Sequence, residues 1–384
     1  MHTPSQADPH AATPACRPRA RSLGIPFGGR PGRWNAITDV PGVEVGYATL
    51  IQGQSVRTGV TAIHPRGRAG AADPVAAGFF SQNGNGEMTG VSWIEESGTF
   101  AGPVAITNTH AVGIVHAAVV AWTIRHHPRA AAAWLLPVVA ETWDGYLNDI
   151  NSPHVTGQTA AEALESAAAG PVEEGSVGGG TGMNCYGFKG GSGTASRLVE
   201  YAGASFTVGV FVQANFGSRH ELTLAGLPAG QLLSDDDPMA EHFGAPPGSG
   251  SVIAVVATDA PLLPGQCKAF ARRVTLGPAR TGTAGSHFSG DLFLAFSTGN
   301  PGAFATSAQT LHAGGGTGYG RIRFIPWGFL DPFYTAVVQG TEEAVANALA
   351  ANEDMTGRDG HRSPALPRDR VTALFAARRR PGAP

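Results

Sequence analysis

A serine directly behind a glycine, at the start of an apolar strand, is the feature of this chain that most directly indicates chemistry. Ser251 begins the run Ser-Val-Ile-Ala-Val-Val-Ala-Thr, and residues 244–250 before it are glycine, alanine, proline and serine. A serine held at the rim of a strand behind a pliable loop could attack the Gly250 carbonyl and cut the chain. The freed Ser251 amine, with an ordinary pKa of about 7.7–8.0, could then deprotonate its own hydroxyl. Taken alone, the same residues also fit an ordinary loop leading into a buried strand.

Polar side chains on two other predicted strands could assist such a serine. Ser289 and Asp291 are two residues apart in an apolar run, so a strand would place both on one face. That pair could hydrogen-bond the Ser251 hydroxyl and amine, although a solvated strand face has the same pattern. Asn215 ends another apolar run, and its amide could donate to an oxyanion or form an Asx turn.

An acidic and aromatic cluster follows a further predicted strand. Glu141, Trp143 and Asp144 lie within four residues of each other. Two carboxylates beside an indole could bind a substrate ammonium through ion pairing and a cation–π contact. A surface turn with ordinary acidic residues is the alternative.

The composition excludes several other classes of function. The chain has 384 residues, of which 42% are apolar and 14% are charged, and a net charge of −3. It is therefore long enough for a large core but lacks the basic surface of nucleic-acid or anionic-membrane binding. No run of 18 apolar residues predicts a membrane span. The N-terminus has no hydrophobic signal region, and the three cysteines form no CxxC pair, so we expect a reducing, cytoplasmic location.

Neither a cofactor nor a metal is expected. The glycine-rich segments 178–182, 187–192 and 314–320 lack the order of residues that cradles phosphates or opens a dinucleotide fold. The 13 histidines include no H-E-x-x-H pattern, so they indicate no metal site.

Hydrophobic periodicity predicts layered α/β packing. Strands are expected at 59–64, 75–80, 102–107, 136–140, 205–212, 251–258 and 288–296. Helices are expected at 109–126 and 159–169, after Asp259-Ala-Pro261 to about 274, and at 331–339 and 342–350, with Thr341 capping the last. Residues 1–21 are predicted to be a disordered arm, 22–375 a single domain, and 376–384 a disordered tail.

Short motifs spread over most of the chain resemble one known family. They are Thr38–Gly46, Asn83–Gly90, Thr107–His110, Glu141–Gly145, Val177–Met183, Gly250-Ser251, Ala257–Leu262, Ala279–Gly282, Ser289–Asp291 and Met355–Gly360. Together they resemble the DmpA-type self-processing aminopeptidases, which include L-aminopeptidase/D-Ala-esterase-amidase and the β-peptidyl aminopeptidases.

The resemblance implies a fold and a processing event. The fold would be α/β, a four-layer αββα sandwich like that of N-terminal nucleophile hydrolases but with different strand connectivity. Cleavage between Gly250 and Ser251 would give an α chain, 1–250, and a β chain, 251–384. The αβ units would form a homotetramer.

The resemblance also implies roles for individual residues. Ser251 would be the nucleophile and Asn215 the oxyanion-hole donor, while Ser289 and Asp291 would be the supporting serine and acid. Glu141 would bind the amine of a small peptide or amino-acid amide. The enzyme would release the N-terminal residue, of α-L, D-alanine or β type, through an acyl-enzyme.

This chain departs from the family pattern at two positions. Trp143 stands where the L-aminopeptidase members have tyrosine, so it lacks the phenol and is more similar to the β-peptidyl aminopeptidases; this favours N-terminal β-amino acids. Asp291 stands where some members have glutamate, and its shorter side chain must approach the Ser251 amine more closely or act through a water.

Three other functions fit these residues less well than a self-processing aminopeptidase does. An endo-amidase similar to nylon-oligomer hydrolases, or an ornithine acetyltransferase, would have a threonine nucleophile, which Gly250-Ser251 does not match. An unprocessed binding protein that kept the fold would not need an intact set of Ser251, Asn215, Ser289 and Asp291.

Overall fold

Two β-sheets packed face to face form the centre of a computed structural model, which describes residues 8–132, 134–240, 250–305 and 319–378. The first sheet has the strand order β1 (Glu44–Gln52), β2 (Val56–His64), β5 (Val104–Asn108), β6 (Val138–Thr142). The second has the order β4 (Thr99–Phe100), β3 (Val75–Gly84), β12 (Ser289–Ser297), β11 (Gly250–Thr258), β10 (Ala204–Asn215), β9 (Gly191–Tyr201). Within these sheets β5–β6 and β11–β12 are parallel pairs, and the other pairs are antiparallel. Two short ribbons pair β7 (Asn184–Cys185) with β8 (Phe188–Lys189), and β13 (Met355–Thr356) with β14 (Arg362–Ser363).

Helices lie on the outer face of each sheet and at its edges. The helices of the described residues are α1 (Val91–Ser97), α2 (Val112–His126), α3 (Gly157–Glu165), α4 (Ala229–Leu232), α5 (Pro264–Val274), α6 (Leu276–Arg280), α7 (Asp331–Ala350) and α8 (Arg368–Arg378). Apolar residues of α2 and α3 pack on the first sheet, and those of α5 and α7 pack on the second. The αββα sandwich expected from the family resemblance is therefore confirmed.

Strand β11 shows why so many consecutive residues can be apolar. Its side chains alternate between two dry layers, since a strand points successive residues to opposite faces. Ile253 and Val255 pack between the sheets, whereas Val252 and Val256 pack beneath the helices. By the same alternation, the Ser251 side chain faces the space between the sheets.

The predicted strands all exist, but two helix predictions are wrong. The two helices expected near 331–339 and 342–350 are one continuous helix, α7. Thr341 lies inside it, buried, and its hydroxyl donates to the Val337 carbonyl 2.8 Å away, so it caps nothing. The helix expected after Asp259 begins only at Pro264, because the Asp259 carboxylate accepts a hydrogen bond from Thr207 N and holds the preceding loop.

The prediction of a disordered arm is wrong for residues 8–21. Arg19 is 3% exposed, and its guanidinium donates to Glu174 at 2.7 Å and 3.1 Å and to the carbonyls of Asn35 and Thr194. A guanidinium satisfied in this way fixes an otherwise polar segment against the core. Residues 1–7 and 379–384 lie outside the described residues, while 376–378 end helix α8.

Among the described residues, no helix is both long enough and apolar enough to cross a bilayer. No group of three or more His, Cys, Asp or Glu side chains suited to a metal occurs in the same part of the chain. The cytoplasmic location stays a prediction from the sequence.

The buried ion pair of Arg19 generates a stability prediction. Replacing Arg19 by methionine leaves Glu174, which is fully buried, without its counter-charge, so the free energy of unfolding should fall by about 3–5 kcal/mol. The matched control is Arg30→Met, because Arg30 pairs with Glu200 at the surface and should contribute less than about 1 kcal/mol. Urea unfolding followed by circular dichroism measures both variants. Equal losses would contradict the structural role given to the N-terminal segment.

Candidate functional site

Ser251 lies where three strands of the second sheet end together. It pairs with Asn215 on the antiparallel strand β10 and with Gly290 on the parallel strand β12. Residues directly opposite each other in an antiparallel pair share a face, so the Asn215 amide and the Ser251 hydroxyl project side by side. Both side chains are nearly buried, at 5% and 2% exposure.

The Ser251 hydroxyl accepts hydrogen bonds from two donors. Asn215 Nδ2 and the backbone N–H of Trp143 each lie 3.2 Å from Ser251 Oγ. Asn215 Nδ2 also donates to the Trp143 carbonyl at 2.9 Å, and Asn215 Oδ1 accepts from Asn184 N at 2.9 Å. These contacts fix the orientation of the Asn215 amide, with its nitrogen toward the serine.

Two N–H donors this close to Ser251 Oγ can also reach the oxygen of a carbonyl that the serine attacks, which is the task of an oxyanion hole. A base that could take the hydroxyl proton is not in place: across the described ranges, no carboxylate or imidazole accepts a hydrogen bond from Ser251 Oγ. Among the described residues, the site therefore has two donors for a developing negative charge and no side chain that accepts the Ser251 hydroxyl proton.

Glu141 is held at the end of β6, in the sheet opposite Ser251. One of its oxygens accepts from Glu87 N at 3.0 Å, and the other accepts from the Thr109 hydroxyl. Burial raises the pKa of Glu141, and these two hydrogen bonds act against the rise. Each carboxylate oxygen has a second lone pair, so the group can still accept hydrogen bonds from an ammonium.

A cleft of about 1090 Å³ joins these groups. Ser251, Asn215, Glu141 and Trp143 line it, together with Asn85, Gly86, Glu87, Thr109, Asn184, Arg219, Asp237 and Phe288 among others. The Trp143 indole is 39% exposed and lies over Gly145, where a Cβ would come within 2.4 Å of the ring. Gly145 thus leaves the space in which the indole packs.

The structure brings Ser289 and Asp291 together, but not beside the Ser251 hydroxyl. Ser289 Oγ donates to Asp291 at 2.6 Å, and Asn83 Nδ2 donates to the other carboxylate oxygen at 2.9 Å. Asp291 lines a separate cavity of about 270 Å³ with Val252 and Phe293, on the helix side of the sheet. Burial raises the pKa of Asp291, which the two hydrogen bonds oppose.

Asp144 also departs from the expected cluster. Its side chain is fully buried, points away from the cleft and accepts from Asn148 Nδ2 at 3.0 Å. Burial raises the pKa of Asp144 to about 7. Of the two carboxylates near Trp143, only Glu141 lines the cleft.

Sequence reasoning gave no role to four residues that hold the site. Thr109 and Glu87 fix Glu141, Asn83 fixes Asp291, and Asn184 fixes Asn215. Thr109, Glu87 and Asn83 lie in the Asn83–Gly90 and Thr107–His110 motifs. The several polar residues close together in these motifs were the sequence signal that could have identified them. Asn184 and Trp143 act through backbone N–H groups, which no residue type reveals.

Several known proteins are similar to this chain over most of its length. The family model "Peptidase family S58" matches residues 35–363. Among curated proteins, a β-peptidyl aminopeptidase, BapA of Sphingosinicella microcystinivorans, is 48% identical over 94% of this chain and 93% of its own. Among solved structures, L-aminopeptidase D-Ala-esterase/amidase from Ochrobactrum anthropi is 46% identical with a TM-score of 0.87, covering 94% of this chain and 99% of its own. A Burkholderia β-aminopeptidase is 44% identical with a TM-score of 0.82, covering 95% and 100%.

These matches span nearly the whole chain. The Ochrobactrum structure is described as a prototype of the serine aminopeptidases and a variant of the N-terminal nucleophile hydrolase fold. The chain therefore belongs to peptidase family S58, and it is a hydrolase with that variant fold.

The contact between Asn215 and Ser251 predicts a loss of turnover on mutation. Asn215→Ala removes one donor to a developing oxyanion, so kcat should fall by about 100- to 1000-fold. Asn300→Ala is the matched control, because Asn300 is similarly buried and forms two hydrogen bonds with the Arg323 backbone outside the cleft. Steady-state kinetics on an aminoacyl p-nitroanilide measures both. If the Asn215 variant keeps wild-type kcat, its amide is not an oxyanion donor.

Proposed function

We propose that this protein cleaves itself between Gly250 and Ser251 and then acts as an aminopeptidase through the new N-terminal serine. The observation that carries the proposal is the Ser251 environment: two N–H donors converge on the hydroxyl, and no side-chain base accepts its proton within the described residues. A free amine on Ser251 itself would supply the missing base, as in other N-terminal nucleophiles.

The close packing around Gly250 supports cleavage at this bond. A Cβ on Gly250 would lie 2.1 Å from the Asn215 carbonyl oxygen, so only glycine fits there without displacing the backbone. In the first stage, Ser251 Oγ attacks the Gly250 carbonyl carbon, the peptide C–N bond breaks, the hydroxyl proton passes to the Ser251 nitrogen and an ester forms. Water then hydrolyses the ester, which leaves a carboxylate on Gly250 and an amine and a hydroxyl on Ser251.

In the second stage the mature site acts on a substrate with a free N-terminal amine. The Ser251 amine takes the hydroxyl proton while Oγ attacks the first carbonyl. Asn215 Nδ2 and Trp143 N stabilise the oxyanion. The protonated amine then gives its proton to the leaving group, and water hydrolyses the acyl-enzyme to release the N-terminal residue.

The Glu141 carboxylate makes the reaction an exopeptidase reaction. It lines the same cleft as Ser251 and presents an anionic oxygen pair to it. A substrate ammonium paired with Glu141 places the adjacent carbonyl at Ser251, and a blocked or internal amide lacks that ammonium.

Ser289 and Asp291 are proposed to hold the Ser251 amine rather than its hydroxyl. The register places Ser251 beside Gly290, so the Ser251 nitrogen lies alongside the strand segment between these two residues. Once free, that nitrogen can turn toward the helix-side face, where the Ser289–Asp291 pair lies. A water in the adjacent cavity would extend the reach of the short Asp291 side chain.

We further propose a preference for N-terminal β-amino acids. Trp143 flanks the cleft, and the chain is nearly half identical to a protein named as a β-peptidyl aminopeptidase. A homotetramer of αβ units and a cytoplasmic location stay predictions from the sequence.

The Glu141 role predicts weaker substrate binding and a changed pH profile. Glu141→Gln keeps the shape but loses the charge, so KM for an aminoacyl p-nitroanilide should rise by about 10- to 100-fold. Protonation of the Ser251 amine lowers kcat/KM on the acid side in both proteins. In the wild type, Glu141 should add a further decline as it loses its charge, at a higher pH than for an ordinary carboxyl because burial raises its pKa. The variant should keep the decline due to the amine and lack the one due to Glu141. An unchanged KM and acid limb would contradict the role.

The same assay tests the β preference. β-Alanyl and α-L-alanyl p-nitroanilide differ in one backbone methylene, and the wild type should hydrolyse the β substrate with the larger kcat/KM. A larger value for the α substrate would contradict the preference without touching the serine mechanism.

A further inference from the structure

A lysine that no step of the proposed mechanism uses is fully buried behind the site. Lys189, on β8, is 0% exposed, and its ammonium donates to the carbonyls of Met183 and Gly190, each at 2.8 Å. No carboxylate pairs with it among the described residues. Burying an unpaired cation costs several kcal/mol, and a methionine of similar length would avoid that cost.

The lysine contacts a peptide group that also contacts the oxyanion donor. The carbonyl of Met183 and the N–H of Asn184 belong to one peptide unit. The carbonyl accepts from Lys189 Nζ, while the N–H donates to Asn215 Oδ1 at 2.9 Å. The other end of the Asn215 amide donates to Ser251 Oγ at 3.2 Å. A continuous chain of hydrogen bonds thus runs from a buried cation to the nucleophile.

A cation at one end polarises every amide in such a chain in the same direction. The ammonium polarises the Met183 carbonyl, and this makes the Asn184 N–H of the same peptide a stronger donor. The stronger hydrogen bond to Asn215 Oδ1 polarises the Asn215 amide in turn, so that Asn215 Nδ2 becomes a stronger donor toward Ser251.

We propose that Lys189 is a positioning residue that orients and polarises the Asn215 amide toward the reacting oxygen through the Met183–Asn184 peptide. The inference rests on the proposed function, since it concerns the oxyanion that forms on the substrate carbonyl when Ser251 attacks it. Lys189 touches neither Ser251 nor the cleft, and it acts through Asn215.

A purely structural role accounts less well for these contacts. The backbone around Lys189 is already held without the ammonium: Lys189 N donates to the Pro364 carbonyl at 2.7 Å. Asn352 Nδ2 donates to the carbonyls of Lys189 and Gly190 at 3.1 Å and 2.9 Å. Other hydrogen bonds therefore hold the hairpin between β7 and β8, and the further effect of the ammonium is to polarise the Met183 carbonyl.

The charge of Lys189 should change within the working pH range. Burial, together with a smaller effect of the Arg17 guanidinium, lowers the pKa of Lys189 to about 7, and the Cys185 thiol acts in the opposite direction. As pH rises through this value, the ammonium becomes a neutral amine and polarises the chain less.

The test compares Lys189→Met with the wild type on one aminoacyl p-nitroanilide, with activity expressed per chain carrying an N-terminal Ser251. Methionine keeps the packing but loses the charge and both donors. We expect kcat to fall by about three- to tenfold with KM within twofold, since only the donor strength at Asn215 changes. The ratio of wild-type to variant kcat should be largest below about pH 7 and should decrease above it. The Ser251 amine titrates in both proteins and cancels in this ratio.

Gln266→Met is the control for lost stability. Gln266 is also fully buried, accepts from Leu263 N and donates to the Ile325 carbonyl, at the start of α5. It should lower the melting temperature and leave kcat and its pH profile unchanged. If Lys189→Met does not fold, Lys189→Gln retains a neutral donor and should show the same decrease of the ratio with rising pH, with a smaller loss of kcat.

Ser251→Ala separates the two levels of the argument. If the wild type is active and Ser251→Ala is not, the proposed function stands, and a Lys189→Met variant with wild-type kcat at every pH overturns the role of Lys189. If Ser251→Ala remains active, the proposed function itself fails.

Discussion

The hydrogen bonds that join the Trp143 peptide to Ser251 and Asn215 tie the two sheets together at the reacting centre. Trp143 follows the last strand of the first sheet, while Ser251 and Asn215 end neighbouring strands of the second. The two donors to Ser251 Oγ therefore come from both layers of the sandwich. A shift of one sheet against the other would move a donor away from the serine, and the close-packed apolar side chains between the sheets resist such a shift.

The polar side chains of the site also lie on two opposite faces of the second sheet. The hydroxyl of Ser251 faces the cleft between the sheets, beside Asn215 and opposite Glu141. The hydrogen-bonded pair Ser289 and Asp291 lies on the helix face of the same sheet. The backbone nitrogen of Ser251 lies between these faces. The Ser251 hydroxyl can therefore contact groups on one face, while the amine proposed to be released can contact groups on the other.

Local sequence signals were sufficient for the strands and for part of the site. The apolar run after Ser251 and the spacing of Ser289 and Asp291 specify a buried strand and a shared face, because strand periodicity is a property of adjacent residues. Whether that pair lies on the same face as the Ser251 side chain depends on the register between two strands in which Ser251 and Ser289 are 38 positions apart in sequence. Periodicity within one strand carries no information about that register. Thr341 was mistaken for a cap because burial, rather than its local preference, extends helix α7 through it. Arg19 was placed in a disordered arm because its partner, Glu174, is remote in the chain.

In the proposed mechanism, the amine released on Ser251 is the base that the described residues around its hydroxyl do not supply. Denaturing mass spectrometry of the purified protein beside its Ser251→Ala variant tests this most directly. We expect the wild type to give two chains, residues 1–250 and 251–384 with serine at the new N-terminus, and the variant to stay whole. A folded, active wild type that remains one chain of 384 residues would contradict the claim.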